Sequence, residues 1–151
     1  DLHSFPTRRS SDLEPVVIVD IPASIAGYLP EILQMPSTCV LVANASLTAA
    51  RDMARWRDVL GPNTRERRTL HVLNHTDAYG GLREAEFARA AGQPPDVVIA
   101  YDRDLATTAN LGVKAMQKCP LFKFGMAKMV HDVTGEPLEK PSSIFRRIFR
   151  S

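Results

Sequence analysis

Cys39-Val40-Leu41-Val42-Ala43-Asn44-Ala45-Ser46 decides the fold. Its first five residues are apolar with no polar alternation, the pattern of a strand buried on both faces, as in a parallel sheet. Ser46 then offers an N-cap hydroxyl to a helix. Ala49, Met53, Trp56 and Leu60 follow, the last three at offsets of 4, 7 and 11 from the first, so they share one helical face. Gly61-Pro62 stops that helix. A buried strand that runs straight into an amphipathic helix is the unit from which α/β sheets are built.

The unit recurs on both sides. Upstream, Val16-Val17-Ile18-Val19-Asp20-Ile21 predicts a first buried strand, and Ser24 a short helix to about Gln34 that Pro30 interrupts. Downstream, Thr69-Leu70-His71-Val72-Leu73-Asn74 predicts a third strand, and Asp77 to Leu82, with Gly80-Gly81, a loop. A helix from Leu82 to Ala91 ends at Gly92, and Pro94-Pro95 leads into a fourth strand, Asp96 to Tyr101. Helices over Leu105 to Lys118 and Leu121 to Thr134 complete the chain. In the second, Phe122, Met126, Met129 and Val133 repeat on one face before Gly135. Strand and helix alternating in this way predict an α/β fold, a parallel sheet with flanking helices. Right-handed crossovers bring the strands' carboxyl ends to one edge, where such folds bind ligands. Asp20, Asn44, Asn74 and Asp102 are the residues predicted there.

Size and composition agree with one domain. The chain has 151 residues, of which 44% are hydrophobic and 24% charged, and a domain takes about 100–200 residues. Two cysteines, Cys39 and Cys119, are too few for a disulfide scaffold or a zinc cage, and fit a reducing compartment. No apolar run approaches the ~18 residues of a membrane span. The net charge of +2 sits entirely in residues 136–151, because residues 14–135 carry 13 basic and 13 acidic side chains. A neutral body argues against a nucleic-acid face.

Asp1-Leu2-His3-Ser4-Phe5-Pro6-Thr7-Arg8-Arg9-Ser10-Ser11-Asp12-Leu13 resembles a translated sequencing-library adapter. Residues 1–13 are therefore set aside as an artefact, with the expectation that the natural amino terminus lies elsewhere. Among the remaining residues, Asp20 at the tip of an apolar run is placed as a Walker B aspartate would be, holding Mg²⁺ through a bound water. A loop-capping aspartate is the competing reading. Asn74 carries an amide able both to donate to and accept from a purine edge, or to bond its own loop. His71 and His75 do not converge on a metal and read as core or surface histidines. None of the eight glycines is followed by Lys-Ser or Lys-Thr, so the chain holds no P-loop.

Val16 to Pro22, the strand end Ala43-Asn44-Ala45-Ser46-Leu47, the Leu73-Asn74 strand end, and Tyr101-Asp102 followed by Ala109-Asn110-Leu111-Gly112 together resemble the C-terminal half of ParA/MinD-type ATPases. The likeness is nearest to the pilus-assembly CpaE/TadZ branch. It implies a partial, deviant-Walker P-loop fold of the SIMIBI type whose P-loop strand lies upstream. It also implies ATP and Mg²⁺ as cofactors of the intact parent, with Asp20 as the Walker B residue, Asn74 on the adenine side, and Tyr101 and Asp102 beside the base. The parent would be a homodimer that positions pilus-assembly proteins at the inner membrane from the cytoplasm. The chain departs from the family at Ala100, where proline is usual, and at Met35-Pro36-Ser37-Thr38 before the second strand. A ParA-type partitioning ATPase and a dethiobiotin-synthetase-like ligase are the alternatives. The first needs a basic body, and the second gives no reason for the tail described next.

Residues 136–141 read as a linker and 142–151 as an amphipathic tail. Ile144, Phe145, Ile148 and Phe149 share a helix face, flanked by Arg146, Arg147 and Arg150, with Ser142 or Ser143 as N-cap. This resembles the C-terminal membrane-targeting helix of MinD. Burying four such side chains is worth ~6–12 kcal/mol gross, and each arginine near anionic lipid adds ~1 kcal/mol. So short a helix must fold on contact, which offsets much of the gain. Weak, reversible attachment to an anionic membrane is the expectation, with docking on a partner or on the chain's own body as the other two readings.

Overall fold

The computed structural model describes residues 17–21, 37–75, 80–108, 118–135 and 137. Two compact units divide the chain, Asp1–Ile32 and Leu33–Ser151, and each is described by itself. The expectations for residues 1–13, for the helix from Ser24, for the linker apart from Pro137, and for the tail at 142–151 lie outside the described residues.

In the larger unit, β1 (Ser37–Asn44), α1 (Leu47–Leu60), β2 (Arg67–Asn74), α2 (Glu84–Ala91), β3 (Val97–Ile99), α3 (Leu105–Thr108) and α4 (Pro120–Thr134) follow one another. The strands form a parallel sheet in the order β1-β2-β3, with Asn44 opposite Asn74 and Asn74 opposite Ile99. This is the α/β architecture that the alternation predicts. Both crossovers step the same way along the sheet, so right-handed connections put α1 and α2 on one face. On that face Ala43, Leu73 and Val98 meet Ala50, Met53, Phe87 and Ala91. On the other face Leu70, Val72, Val97 and Ile99 meet Phe122, Met126 and Met129 of α4. β2 is covered on both sides: residues 69–73 are all buried, as suits the central strand of a parallel sheet.

Local signals place the helix ends. The Ser46 hydroxyl accepts the Ala49 N–H, and Gly61, at φ 74°, ends α1 while donating its N–H to the Arg57 carbonyl. Gly92 and Gly135 end α2 and α4 in the left-handed conformation that glycine adopts without a Cβ penalty. Arg57 reaches across from α1 and donates through Nη1 to the Ala91 carbonyl at 2.9 Å, which ties the end of α2 to α1. Gly125 of α4 lies against β3: a Cβ there would meet the Ile99 Cα and Cγ1 at 3.0 Å.

Two expectations change. Val17–Ile21 forms no strand, and Val17, Ile18 and Val19 are 81%, 91% and 66% exposed. β-branched residues suit a pleated surface, but an extended run becomes a strand only when a neighbour takes up its N–H and C=O groups. The fourth strand is only Val97–Ile99, in register with Val72–Asn74 of β2. The helix begun at Leu105 is described as far as Thr108, and residues 109–117 are outside the described residues.

Candidate functional site

The carboxyl ends of the three strands form one rim. Register places Asn44 beside Asn74 and Asn74 beside Ile99, and Tyr101 and Asp102 follow β3 at the same end. The ladder continues one step past β2, where the His75 N–H donates to the Ile99 carbonyl at 2.9 Å. The chain returning from β2 folds over the end of β1: the Leu82 N–H donates to the Ala45 carbonyl at 2.7 Å. Gly81 permits that approach, since a Cβ there would stand 2.8 Å from the Ala45 Cβ.

The rim side chains are spent differently. Asn44 Oδ1 accepts from the Ser46 hydroxyl at 2.7 Å, so Asn44 helps to orient the cap of α1. Among the described residues nothing hydrogen-bonds the half-buried side chain of Asn74. Tyr101 is half-buried beside β3. Asp102 has structural work: Oδ1 accepts the Asp104 N–H at 3.2 Å, and Oδ2 accepts the Leu121 N–H of α4, also at 3.2 Å. The resemblance places this carboxylate beside a nucleotide base; here it joins the exit of β3 to the first turn of α4.

Asp20 belongs to the smaller unit and is exposed, in a stretch that forms no strand. The buried strand that would fix a Walker B backbone is not formed there. No group of three His, Cys, Asp or Glu suited to a metal occurs among the described residues. Mg²⁺ is usually held by one or two carboxylates together with substrate phosphates. Residues 144–150, the predicted membrane contact, lie outside the described residues. Among the described residues no helix is long and apolar enough to cross a membrane.

The opposite rim holds a polar cluster that sequence patterns did not single out. A cleft of about 240 Å³ is lined by Arg57, Asn63, Thr69, His71, Gln93 and Asp96, among others. Asp96 Oδ2 accepts the His71 backbone N–H at 2.7 Å and lies 3.1 Å from the His71 ring Nδ1. The Asp96 N–H donates to the His71 carbonyl, and its own carbonyl accepts from Lys128 of α4. The Gln93 amide lies 2.7 Å from the same ring nitrogen, and Asn63 Oδ1 accepts the Thr69 N–H. These groups largely satisfy one another and fasten β2, β3 and α4 together. His71 is the core histidine expected. Its partner Asp96 stands just before the apolar run of β3, a position that local periodicity reads as a strand start.

The cysteines serve packing. Burial pushes the Cys39 thiol up from its ordinary value, away from reactivity. Cys119 is fully buried, with Sγ 3.1 Å from the Thr108 hydroxyl.

The fold and rim define an α/β chain with an open parallel sheet and a carboxyl-end edge of the kind that binds ligands in this class. Comparison with protein-family models, curated proteins and solved structures finds no match.

Proposed function

We propose that this chain is the carboxyl-terminal segment of a ParA/MinD-type ATPase of the pilus-assembly CpaE/TadZ kind, with its nucleotide edge at the rim of Asn44, Asn74 and Tyr101. The observation that supports the reading most is the in-register juxtaposition of Asn44 and Asn74 with the exit of β3, in the chain order that the resemblance requires. The amide of Asn74, which nothing hydrogen-bonds among the described residues, is the group on that rim with capacity for a purine edge. Asp102 then acts as the brace that fixes Tyr101 and α4 rather than as a base contact.

On this reading ATP-dependent dimerisation of the intact parent localises pilus machinery at the cytoplasmic side of the inner membrane, and the basic tail supplies the lipid contact. ATP and Mg²⁺ bind the parent through an upstream phosphate loop, and this chain alone does not hydrolyse ATP.

The upstream reading frame of the gene tests the reading. A Lys-Gly-Gly-x-Gly-Lys-Thr type loop about a hundred residues before Asp20 is expected. A frame that opens with its own start codon and reaches Val16 without such a loop rejects the proposal. Co-sedimentation with anionic vesicles tests the tail separately. The chain is expected to pellet, and deletion of residues 141–151 to abolish pelleting; equal pelleting of both removes the membrane assignment.

A further inference from the structure

The cleft at the amino rim holds more polar capacity than its own bonds consume. Thr69 lines it from the same face of β2 as His71, since side chains alternate along a strand. Thr69 is only 8% exposed, and its backbone N–H goes to Asn63 Oδ1, but nothing among the described residues hydrogen-bonds its hydroxyl. Buried polar side chains are in the large majority paired, and one without a protein partner points to water or a ligand. Three further groups keep atoms in reserve among the described residues. Both bonds from His71 to the Asp96 carboxylate use Oδ2, which leaves Oδ1. Gln93 turns Nε2 to the imidazole ring, which leaves Oε1. Arg57 spends Nη1 on the Ala91 carbonyl and sets Nε 3.7 Å from Asp58, which leaves Nη2.

The charges select the occupant. Arg57 and Asp96 stand on the walls of one cleft of about 240 Å³, and among the described residues no ion pair joins them. A pure anion drawn to Arg57 meets the Asp96 carboxylate. It also meets the carboxyl ends of α1 and α2, at Gly61 and Gly92, where the helix dipole is negative. A pure cation drawn to Asp96 meets the guanidinium. A molecule that carries one charge of each sign satisfies both walls.

We infer that this cleft binds a small zwitterion of the amino-acid class. Its carboxylate lies on Arg57, whose planar fork suits that group. Its ammonium, with three donors, takes Asp96 Oδ1 and Gln93 Oε1. The Thr69 hydroxyl completes the polar shell. The cleft is smaller than the about 300–1,000 Å³ of sites for drug-sized ligands, so the occupant is compact. These contacts use only atoms that the rim's own bonds leave over, so the links from Asp96 to His71 stay closed. The inference rests on the cleft alone and not on the function proposed above.

Amide NMR on the isotope-labelled 151-residue chain tests it. The probes are the standard α-amino acids, with acetate and methylammonium as the two half-molecules. At least one amino acid should shift the Thr69, His71 and Gln93 signals along a saturating curve, and neither half-molecule should do so at the same concentration. Thr69→Val removes a hydroxyl that nothing in the described fold uses, so its unfolding temperature should not fall. It should raise the dissociation constant about two- to tenfold, the worth of one hydrogen bond. Thr69→Ser keeps the hydroxyl and should bind as the parent does. The inference is overturned if no amino acid saturates these signals, if either half-molecule binds as tightly, or if Thr69→Val binds as the parent does. A lower unfolding temperature in Thr69→Val overturns it too, because the hydroxyl would then be bonded within the fold.

Discussion

Replacing Gly125 by alanine is the sharpest test of how α4 is seated on the sheet. In an exposed helix the change is favourable, since alanine exceeds glycine in helix propensity by about 1 kcal/mol. Position 125 is buried and faces β3. The new methyl would meet Ile99 Cα and Cγ1 at 3.0 Å and Cβ at 3.2 Å, against about 3.5–4.0 Å for an optimal carbon contact. Two of those atoms are Cα and Cβ, so no rotamer change at Ile99 relieves them, and α4 must retreat by roughly half an ångström to restore contact distance. Phe122, Met126 and Met129 would retreat with it from Leu70, Val72 and Val97. Overpacking of this kind costs about 1–3 kcal/mol. After the propensity gain the expected net loss is about 0–2 kcal/mol. Urea unfolding followed by circular dichroism reads the sign, and an unchanged m-value certifies that stability alone moved. Truncating Ile99 to alanine in the same background removes Cγ1 but not Cα or Cβ, so it should not rescue the loss. A Gly125→Ala chain about 1 kcal/mol more stable than the parent would show that α4 does not press on β3, and the seating described above would be wrong.

Two further outcomes follow from the rim and from α2. Asp102→Ala removes the acceptors of the Asp104 and Leu121 N–H groups and should cost about 0.5–2 kcal/mol of stability even without any nucleotide; an unchanged urea midpoint would free Asp102 for a purely ligand-directed role. Glu86 accepts from the Arg83 backbone N–H and from its guanidinium at the start of α2. These bonds, the one from the guanidinium foremost, draw its carboxyl down from its ordinary 4.5 to about 2. The native-state pKa is lowered, so the stabilisation is complete above the unfolded value and is lost as pH falls through the native one. A carboxyl NMR titration should give a midpoint near 2 for Glu86 in the folded chain, moving up in Arg83→Ala; a midpoint near 4.5 in the parent would contradict the cap geometry.

Local chemistry made β1 and α1 legible. A continuous apolar run, a capping serine and a Gly-Pro stop each act within a few residues, and the structure follows them at Ser46 and Gly61. Val17–Ile21 has the same local character and forms no strand, because a ladder needs a neighbour that its own residues do not specify. The same blindness hid the contacts made at long range. Arg57 closes α2 from 34 residues away, and Asp102 meets Leu121 from 19 away. Asp102 shows the consequence most plainly. Its place after β3 marks it as a rim residue, but only the packed position of α4 reveals what its carboxylate holds.

The two rims of the sheet use their polar groups differently, which favours the carboxyl end for the proposed ligand edge. Strand-starting residues on the amino side bind one another: Asp96 engages His71 through both backbone and side chain, and Asn63 engages Thr69. The Asp96–His71 bonds join the start of β3 to β2, so disrupting them to receive a ligand would loosen β2 from β3. The carboxyl rim carries its mechanical load elsewhere, through the Ala45 and Ile99 carbonyls and the Asp102 carboxylate. That division leaves Asn74 on a braced strand end where, among the described residues, nothing hydrogen-bonds its side chain. On the proposed reading, a ligand at that edge would take up the donor and the acceptor of this amide.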